Sequence, residues 1–430
     1  MQGKENLSFL ITFLGCKVNS YEVECVANDL EKNGYHLFDS DLDIEPTVVV
    51  INTCAVTKTS EDKDKKIIKR YRHDYPNSIL CVMGCYSQFA SEKVASLGAN
   101  VIVGTKNRSA ILKLINNYKT TKTTQIEIID DKKATEIYED LNLSHYLFNT
   151  RAFVKIQDGC NNFCSYCLIP FVRGRSRSRK KEDVLKEINT LVKNNYKEIV
   201  LTGIDTASYG LDLYDDYGFS DLLEDILKQN SDLYRLRISS IEESQIDEKF
   251  IKLLKDYPNI ADHLHIPLQS GSESVLKSMR RKYDLKSFKN KIAMIREVRP
   301  KISITTDVIV GFPGESDLNF LETYRFIEDI KFSKVHVFPY SKRSGTLAST
   351  FNNEIGVDLK KERVARLLKL SDKLEYEYCK QFNGTHIEFL FESAKKGHFI
   401  GHSSNFLETS VISLDDLNGK TLKVQYVYKK

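Results

Sequence analysis

The sequence lacks any stretch approaching the roughly 20 apolar residues needed to cross a bilayer, which excludes a helical membrane span. Its first residues, MQGKENLSFL, lack the long apolar core of a secretory signal, and this places the protein in the cytoplasm. No internal repeat recurs along the chain. A strong charge of one sign is also missing: 63 Lys and Arg against 59 Asp and Glu leave +4 over 430 residues. That balance is too mild to define a nucleic-acid binder, although local basic patches can act as one. The nine cysteines are odd in number and irregularly placed, so no disulfide framework is written into them. A reducing compartment keeps them as thiols, which favours metal or catalytic roles. The first, Cys16 in ITFLGCKVN, has no second cysteine at the short spacing of a metal or redox motif. With 41% hydrophobic and 28% charged residues, the composition is that of a soluble globular protein. Its length calls for two or three domains.

The pattern indicates an α/β protein in three parts. Residues 1–125 alternate short apolar runs (SFLITFL, TVVVI, ILCVM, NVIVG) with helical stretches, the first of which, from Asn19, takes Asn19 as its cap and ends at Gly34. Continuous β-branched runs separated by helices indicate a parallel sheet covered on both faces. The polar stretch from about Leu112 to Tyr146 reads as a connection with one hairpin. Residues 146–375 hold six strand-like runs, AFVKI, EIVLTG, YRLRISS, HLHIPL, ISITTDVIVG and KVHVFPY, separated by helical periodicities. They suggest an incomplete TIM-like β/α barrel with its function at the carboxyl ends of the strands. A long amphipathic helix (358–381) follows. Residues 376–430 alternate apolar and polar positions around Gly and Asn turns and read as a small antiparallel β-barrel.

The chemistry is concentrated in DGCNNFCSYC (158–167). Cys160, Cys164 and Cys167 stand in the spacing C-x3-C-x2-C directly after the first barrel strand. Three thiolates on one tight loop match three corners of a 4Fe–4S cube and leave the fourth iron open. Zinc wants a fourth ligand close by, and no His or Cys lies within the next thirty residues. This loop resembles that of the radical S-adenosylmethionine (SAM) enzymes. The resemblance implies that SAM chelates the open iron and is cleaved by one electron to a 5′-deoxyadenosyl radical, chemistry that side chains alone cannot perform. It further implies SAM contacts at Tyr166, Gly203 in LTGIDTASYG, Ser239 in RISSIE, Gln269 in HIPLQSGS and Val310 in TTDVIVGFPGE. General acids and bases are not assigned. His263 and His265 alternate on a strand and so share a face, and each reads as an ordinary hydrogen-bonded histidine.

Cys16, Cys54 and Cys85 each stand just beyond the carboxyl end of an expected strand. In an open parallel sheet those ends face one crevice, and neighbouring strands lie about 4.8 Å apart. The three are therefore expected to hold a second 4Fe–4S cluster, again with one open iron. Cys25 in a helix, Cys81 inside a strand and Cys379 in the last long helix read as small buried hydrophobes.

Two three-cysteine sites, with LGCKVN, NTCAVT, MGCYSQ and AFVKIQDGCNNFCSYCLIPFVRGRSRSR, resemble the radical SAM methylthiotransferases over nearly the whole length. The C-terminal part resembles their TRAM domain. The resemblance implies a reaction that uses SAM twice, once to donate methyl to sulfur and once to form the radical that activates an inert C–H bond. GCKVN, with Lys17, and HIPLQSGSESVLKSMRRKY resemble the branch that converts N6-threonylcarbamoyladenosine (t6A) of tRNA to ms2t6A. The alternatives are N6-isopentenyladenosine in tRNA, an aspartate of a ribosomal protein, or a non-catalytic iron–sulfur RNA-binding maturation factor. RGRSRSRKK (173–181) packs six basic residues into nine beside the SAM loop. Arg173, Arg175, Arg177 and Arg179 are expected to meet phosphates and exposed bases of an anticodon stem-loop. Lys395, Lys396, Lys420, Lys423, Lys429 and Lys430 are expected to grip the RNA body. A monomer supplied with electrons by a flavodoxin or ferredoxin completes the expectation.

Overall fold

The computed structural model describes residues 7–428 other than 130–137, 142, 144, 396 and the side chains of 393–395. It divides into two compact units. The first comprises Met1–Phe148, Gln157–Asn161 and Cys167–Arg179; the second comprises Asn149–Ile156, Asn162–Tyr166 and Lys180–Lys430.

The first unit is built on six parallel strands: β1 (Ser8–Phe13), β2 (His36–Leu37), β3 (Val48–Thr53), β4 (Ile79–Gly84), β5 (Val101–Val103) and β6 (Gln125–Glu127), in the order β2-β1-β3-β4-β5-β6. Every residue of β3 and β4 is buried. Successive side chains of a strand point to opposite faces, so Val48, Val50, Cys81 and Met83 enter one core while Val49, Ile51, Leu80 and Val82 enter another. The helix Lys17–Lys32 contributes Val23, Val26, Ala27 and Leu30 to the first core, and the helices Lys58–Asp74 and Cys85–Ser96 contribute Ile68 and Val94 to the second. Both faces are covered, which is why the central strands read as unbroken apolar runs.

Two local expectations are corrected. Cys16, with φ −97° and ψ 176°, is the N-cap of the first helix, and Asn19 lies within its first turn. The stretch after Leu112 opens as a helix, Ile111–Thr121, followed by β6, which pairs in parallel with β5. Ile111, Leu114 and Ile115 bury against the sheet at helical spacing, a periodicity masked by the Asn, Lys and Thr residues of the outer face. The rest of the expected hairpin falls largely on residues outside those described.

In the second unit, β7 (Ala152–Lys155), β8 (Glu198–Thr202) and β9 (Arg235–Ile238) form one parallel sheet, and β10 (His263–His265), β11 (Ser303–Val310) and β12 (Lys334–Pro339) form another. A parallel bridge from Leu236 to Ile260 links them into an arc in chain order, the incomplete barrel expected. After the helix Val357–Lys380, strands β13 (His386–Lys395), β14 (His398–Ser403), β15 (Glu408–Ile412) and β16 (Thr421–Gln425) make a four-stranded antiparallel sheet in the order β15-β14-β13-β16. Phe389, Phe391, Phe399 and Tyr426 form its core together with Cys379 from the helix.

Glu198 at the start of β8 ties sheet and barrel together. Its carboxylate takes Arg237 Nε at 2.6 Å and Arg235 Nη1 at 2.9 Å, and Arg237 also donates to the carbonyls of Ser403 and Ser404, each at 3.1 Å. Burial pushes the Glu198 carboxyl up, but the arginines, Arg237 foremost, outweigh it and hold the group at about 2.

Candidate active site

In the first unit Cys16, Cys54 and Cys85 follow β1, β3 and β4, three adjacent strands. Each stands at or just before a helix N-terminus: Cys16 caps Lys17–Lys32, Cys54 precedes Lys58–Asp74, and Cys85 opens Cys85–Ser96. Glycines make the turns possible. At Gly84, with φ +100°, a Cβ would lie 2.2 Å from Asn52 Oδ1 and 2.7 Å from the carbonyl of Thr53. At Gly15, with φ +113°, it would lie 3.2 Å from Cys54 Sγ, so the turn that carries Cys16 touches Cys54 directly.

The three sulfurs sense one another. Burial pushes the Cys85 thiol up to about 12, with Arg173 opposing and Cys54 and Cys16 adding to the rise. The Cys54 thiol is raised chiefly by burial and further by Cys16. Cys54 and Cys85 are buried and Cys16 is exposed; deprotonating all three would set like charges against one another, a conflict that a bound cationic metal group removes. A single zinc ion does not fit: bonds of about 2.3 Å at tetrahedral angles put sulfurs about 3.8 Å apart, and among the described residues no three cysteine sulfurs lie within 4.8 Å of one another. Three soft ligands at wider spacing suit a multi-iron cluster.

A buried polar network supports these turns. Asn19 donates to the carbonyls of Leu14 (2.8 Å) and Thr53 (3.1 Å), bracing the backbone before Cys16 and Cys54. Arg173 is fully buried. Its Nη1 donates to Glu22 at 2.9 Å and Asp158 at 3.0 Å, its Nη2 to Asn19 at 3.0 Å, and its Nε to Cys85 Sγ at 3.3 Å. Burial opposes the guanidinium charge, but Cys85, Glu22 and Asp158 together hold it well above the ordinary range. Arg108 supplies a second cation to Glu22 at 2.7 Å.

This placement corrects the expectation of four arginines facing RNA. Arg173, Arg177 and Arg179 are at most 4% exposed. Arg177 donates to the carbonyl of Arg173 at 2.9 Å, and Arg179 pairs with Asp140 at 2.8 Å. Only Arg175 of the four is exposed. A basic run reads alike in sequence whether its charges meet solvent or buried carboxylates; Glu22 and Asp158 were the missing partners, and only folding brings them there.

Cys160, Cys164 and Cys167 are half-buried. Within the second unit Arg281 Nη1 lies 3.6 Å from Cys164 Sγ and also pairs with Glu242. Burial opposes the Arg281 charge, while Glu242, Tyr283, Tyr166 and Cys164 hold it above the ordinary value. Glu242 closes RISSIE and Arg281 lies in HIPLQSGSESVLKSMRRKY, but sequence alone assigns neither a role; only the fold pairs them beside Cys164. Tyr166 packs against a cluster of Val275, Met279, Phe312, Tyr340 and Ala348. Gln269 adopts φ +63° with its backbone N–H on the carbonyl of Asp307 at 2.8 Å, a strained conformation of the kind concentrated at ligand sites. Ser239 donates to Thr202 Oγ1 at 3.3 Å at the ends of β9 and β8. Gly203 directly follows β8, and Val310 is fully buried with its carbonyl bonded to the Tyr340 N–H. His263 and His265 do share a face: both approach Thr305 Oγ1, at 3.2 and 3.0 Å. Cys25, Cys81 and Cys379 are buried in helix, strand and helix as expected.

The radical SAM superfamily model matches residues 154–327, and a family described as uncharacterized protein family UPF0004 matches residues 8–104. Threonylcarbamoyladenosine tRNA methylthiotransferase MtaB of Bacillus subtilis is 42% identical over 96% of this chain and 92% of its own length. The chain belongs to the radical SAM methylthiotransferases. MtaB of Thermotoga maritima is 35% identical to this methylthiotransferase over 93% of the chain and 90% of its own length. The tRNA-2-methylthio-N(6)-dimethylallyladenosine synthase of Thermoanaerobacter sp. is 33% identical over 98% and 93%. Among solved structures, the radical SAM methyltransferase TsrM of Kitasatospora setae shares the fold with a TM-score of 0.59 at 12% identity, covering 92% of this chain and 77% of its own. Membership of the radical SAM superfamily implies a 4Fe–4S cluster and SAM. Among the described residues no helix is long and apolar enough to cross a membrane.

Proposed function

We propose that this methylthiotransferase acts on t6A of tRNA, next to the anticodon, and converts it to ms2t6A. The observation that carries this reading is the 42% identity over 96% of the chain to a relative named for that nucleoside. Cys160, Cys164 and Cys167 would hold the SAM-binding 4Fe–4S cluster, and Cys16, Cys54 and Cys85 a second one concerned with sulfur. Such clusters, with SAM, supply one-electron chemistry and methyl transfer that no side chain provides. The chain's own groups prepare the sites. Arg281 neutralises charge beside Cys164, and Arg173 does so beside Cys85. Tyr166, Gly203, Ser239, Gln269 and Val310 would line the SAM pocket.

Arg175, exposed beside the loop, and Lys420 and Lys423, exposed at the C-terminal sheet, would meet tRNA phosphates. Lys395, Lys396, Lys429 and Lys430 lie outside the described side chains. That sheet would serve as a TRAM domain, the protein working as a cytoplasmic monomer with a flavodoxin or ferredoxin as electron donor. An unpaired loop adenosine is open to such an enzyme in a way that a duplex base is not.

Mass spectrometry of tRNA nucleosides from a deletion strain tests the substrate. Loss of ms2t6A with other methylthio nucleosides intact is expected. Loss of 2-methylthio-N6-isopentenyladenosine instead would overturn the assignment. Reconstituted protein should hold about eight irons, two clusters of four; about four would refute the second cluster.

A further inference from the structure

Among the described residues, one group of His, Cys, Asp and Glu side chains brings three ligand atoms within 4.8 Å of one another: His265, Asp307 and His336. They come from the three adjacent strands β10, β11 and β12. Asp307 and His336 are register partners, and His265 is the partner of Thr305, two residues from Asp307, so all three project from one face of the sheet. The opposite face of β11 carries Thr306, Val308 and Val310, each fully buried. The three ligands therefore sit on the rigid, hydrogen-bonded part of the barrel.

The distances are those of a site close to assembled. His265 Nε2 and Asp307 Oδ2 are 3.3 Å apart, about the separation of two ligands held at 2.0–2.1 Å from one ion at a tetrahedral angle. The His265 and His336 ring centroids are 5.8 Å apart. The remaining nitrogen of His265, Nδ1, lies 3.0 Å from Thr305 Oγ1. Metal-bound imidazoles characteristically spend their second nitrogen in such a contact, which fixes the ring and its tautomer. Glu242 lies within electrostatic reach of both His265 and Arg281, so the triad belongs to the same charged interior as Cys164.

We propose that His265, Asp307 and His336 form a binding site for one divalent transition-metal ion of the zinc or ferrous class, separate from the cysteine sites. Two imidazoles and a carboxylate are the donor set such ions prefer, and three ligands from one face leave coordination positions open for water or another oxygen ligand. Thr305 is a positioning residue: its hydroxyl accepts the Nδ1 proton of His265 and turns Nε2 toward the ion.

The test uses the full-length, cluster-loaded protein, in which the cysteines are occupied. Equilibrium dialysis against Zn2+ should show one ion per chain that is absent from the His265→Ala/His336→Ala variant. Zinc-edge X-ray absorption should show only nitrogen and oxygen ligands, at about 2.0–2.1 Å. Thr305→Val should weaken Zn2+ binding by about 10–100-fold. His336→Gln, a change at a partly exposed position, supplies a second variant should the double one misfold, and it too should lose the ion. Equal zinc in the wild type and His336→Gln, or a sulfur shell near 2.3 Å, would overturn the proposal.

Discussion

Replacing Arg173 with alanine separates a structural guanidinium from an RNA contact. The side chain is 0% exposed and makes five contacts in the network: two to Glu22, and one each to Asp158, Asn19 and Cys85. Removing one partner of a buried ion pair costs about 3–5 kcal/mol, because the other is left charged and unpaired. Glu22 retains Arg108 at 2.7 Å, which sets the expectation at the lower end, about 3 kcal/mol. That is roughly a hundredfold in the folded-to-unfolded ratio and a large share of the 5–15 kcal/mol that holds a typical domain together. The assay is urea unfolding of the full-length protein followed by circular dichroism, with iron content measured in parallel. Arg173→Ala should unfold earlier and hold less iron at Cys16, Cys54 and Cys85. Arg173→Lys should fall between, since one ammonium cannot reproduce a fork that reaches several partners. Arg175→Ala, on an exposed residue, should change neither quantity but lower the salt dependence of tRNA binding by about 0.7–0.9 in log–log slope, one phosphate contact. An Arg173→Ala protein with full iron, unchanged unfolding and a reduced salt slope would refute the structural role.

Other expectations concern both units. The Glu198 carboxyl, held at about 2 by Arg237 and its neighbours against the push of burial, contributes stability that is complete above pH 4.5 and declines as the pH falls toward 2. The fall from 4.5 to about 2 is worth about 3 kcal/mol, so Glu198→Gln should be less stable at pH 7 by at least that order, with the gap from wild type closing below pH 4.5 in urea titrations. Gly84→Ala forces a Cβ to 2.2 Å from Asn52 Oδ1 at φ +100°. It should cost at least about 1–3 kcal/mol and displace Cys85, read as lost iron and a lowered melting temperature. Cys81→Ala, beside Cys85 in sequence but inside the apolar core, should lower stability and leave the iron count per folded chain unchanged.

Much of the site was legible because its signals are local. The loop that carries Cys160, Cys164 and Cys167 gathers the three proposed cluster ligands within eight residues, and no fold is needed to see them together. Cys16, Cys54 and Cys85 were legible for a different reason. Each ends an apolar run, and in a parallel sheet all such ends lie on one edge, so topology alone implies their meeting. The pairing of Arg281 with Glu242 and the Glu22–Arg173–Asp158 network were not legible. Their partners are separated by 15 to 151 residues, and nothing in the local sequence distinguishes a solvated arginine from one that a carboxylate elsewhere in the chain will draw inside.

Strands from continuous β-branched runs, the turn glycines before Cys16 and Cys85, and the close spacing of Cys160, Cys164 and Cys167 are local signals that the sequence carries before any fold forms. The tertiary structure alone decided where charge ends up. Whether Arg173 faces water or Cys85, and whether His265, Asp307 and His336 meet, depends on strand order and register. Both are set by the packing of whole strands against one another rather than by any short stretch of residues.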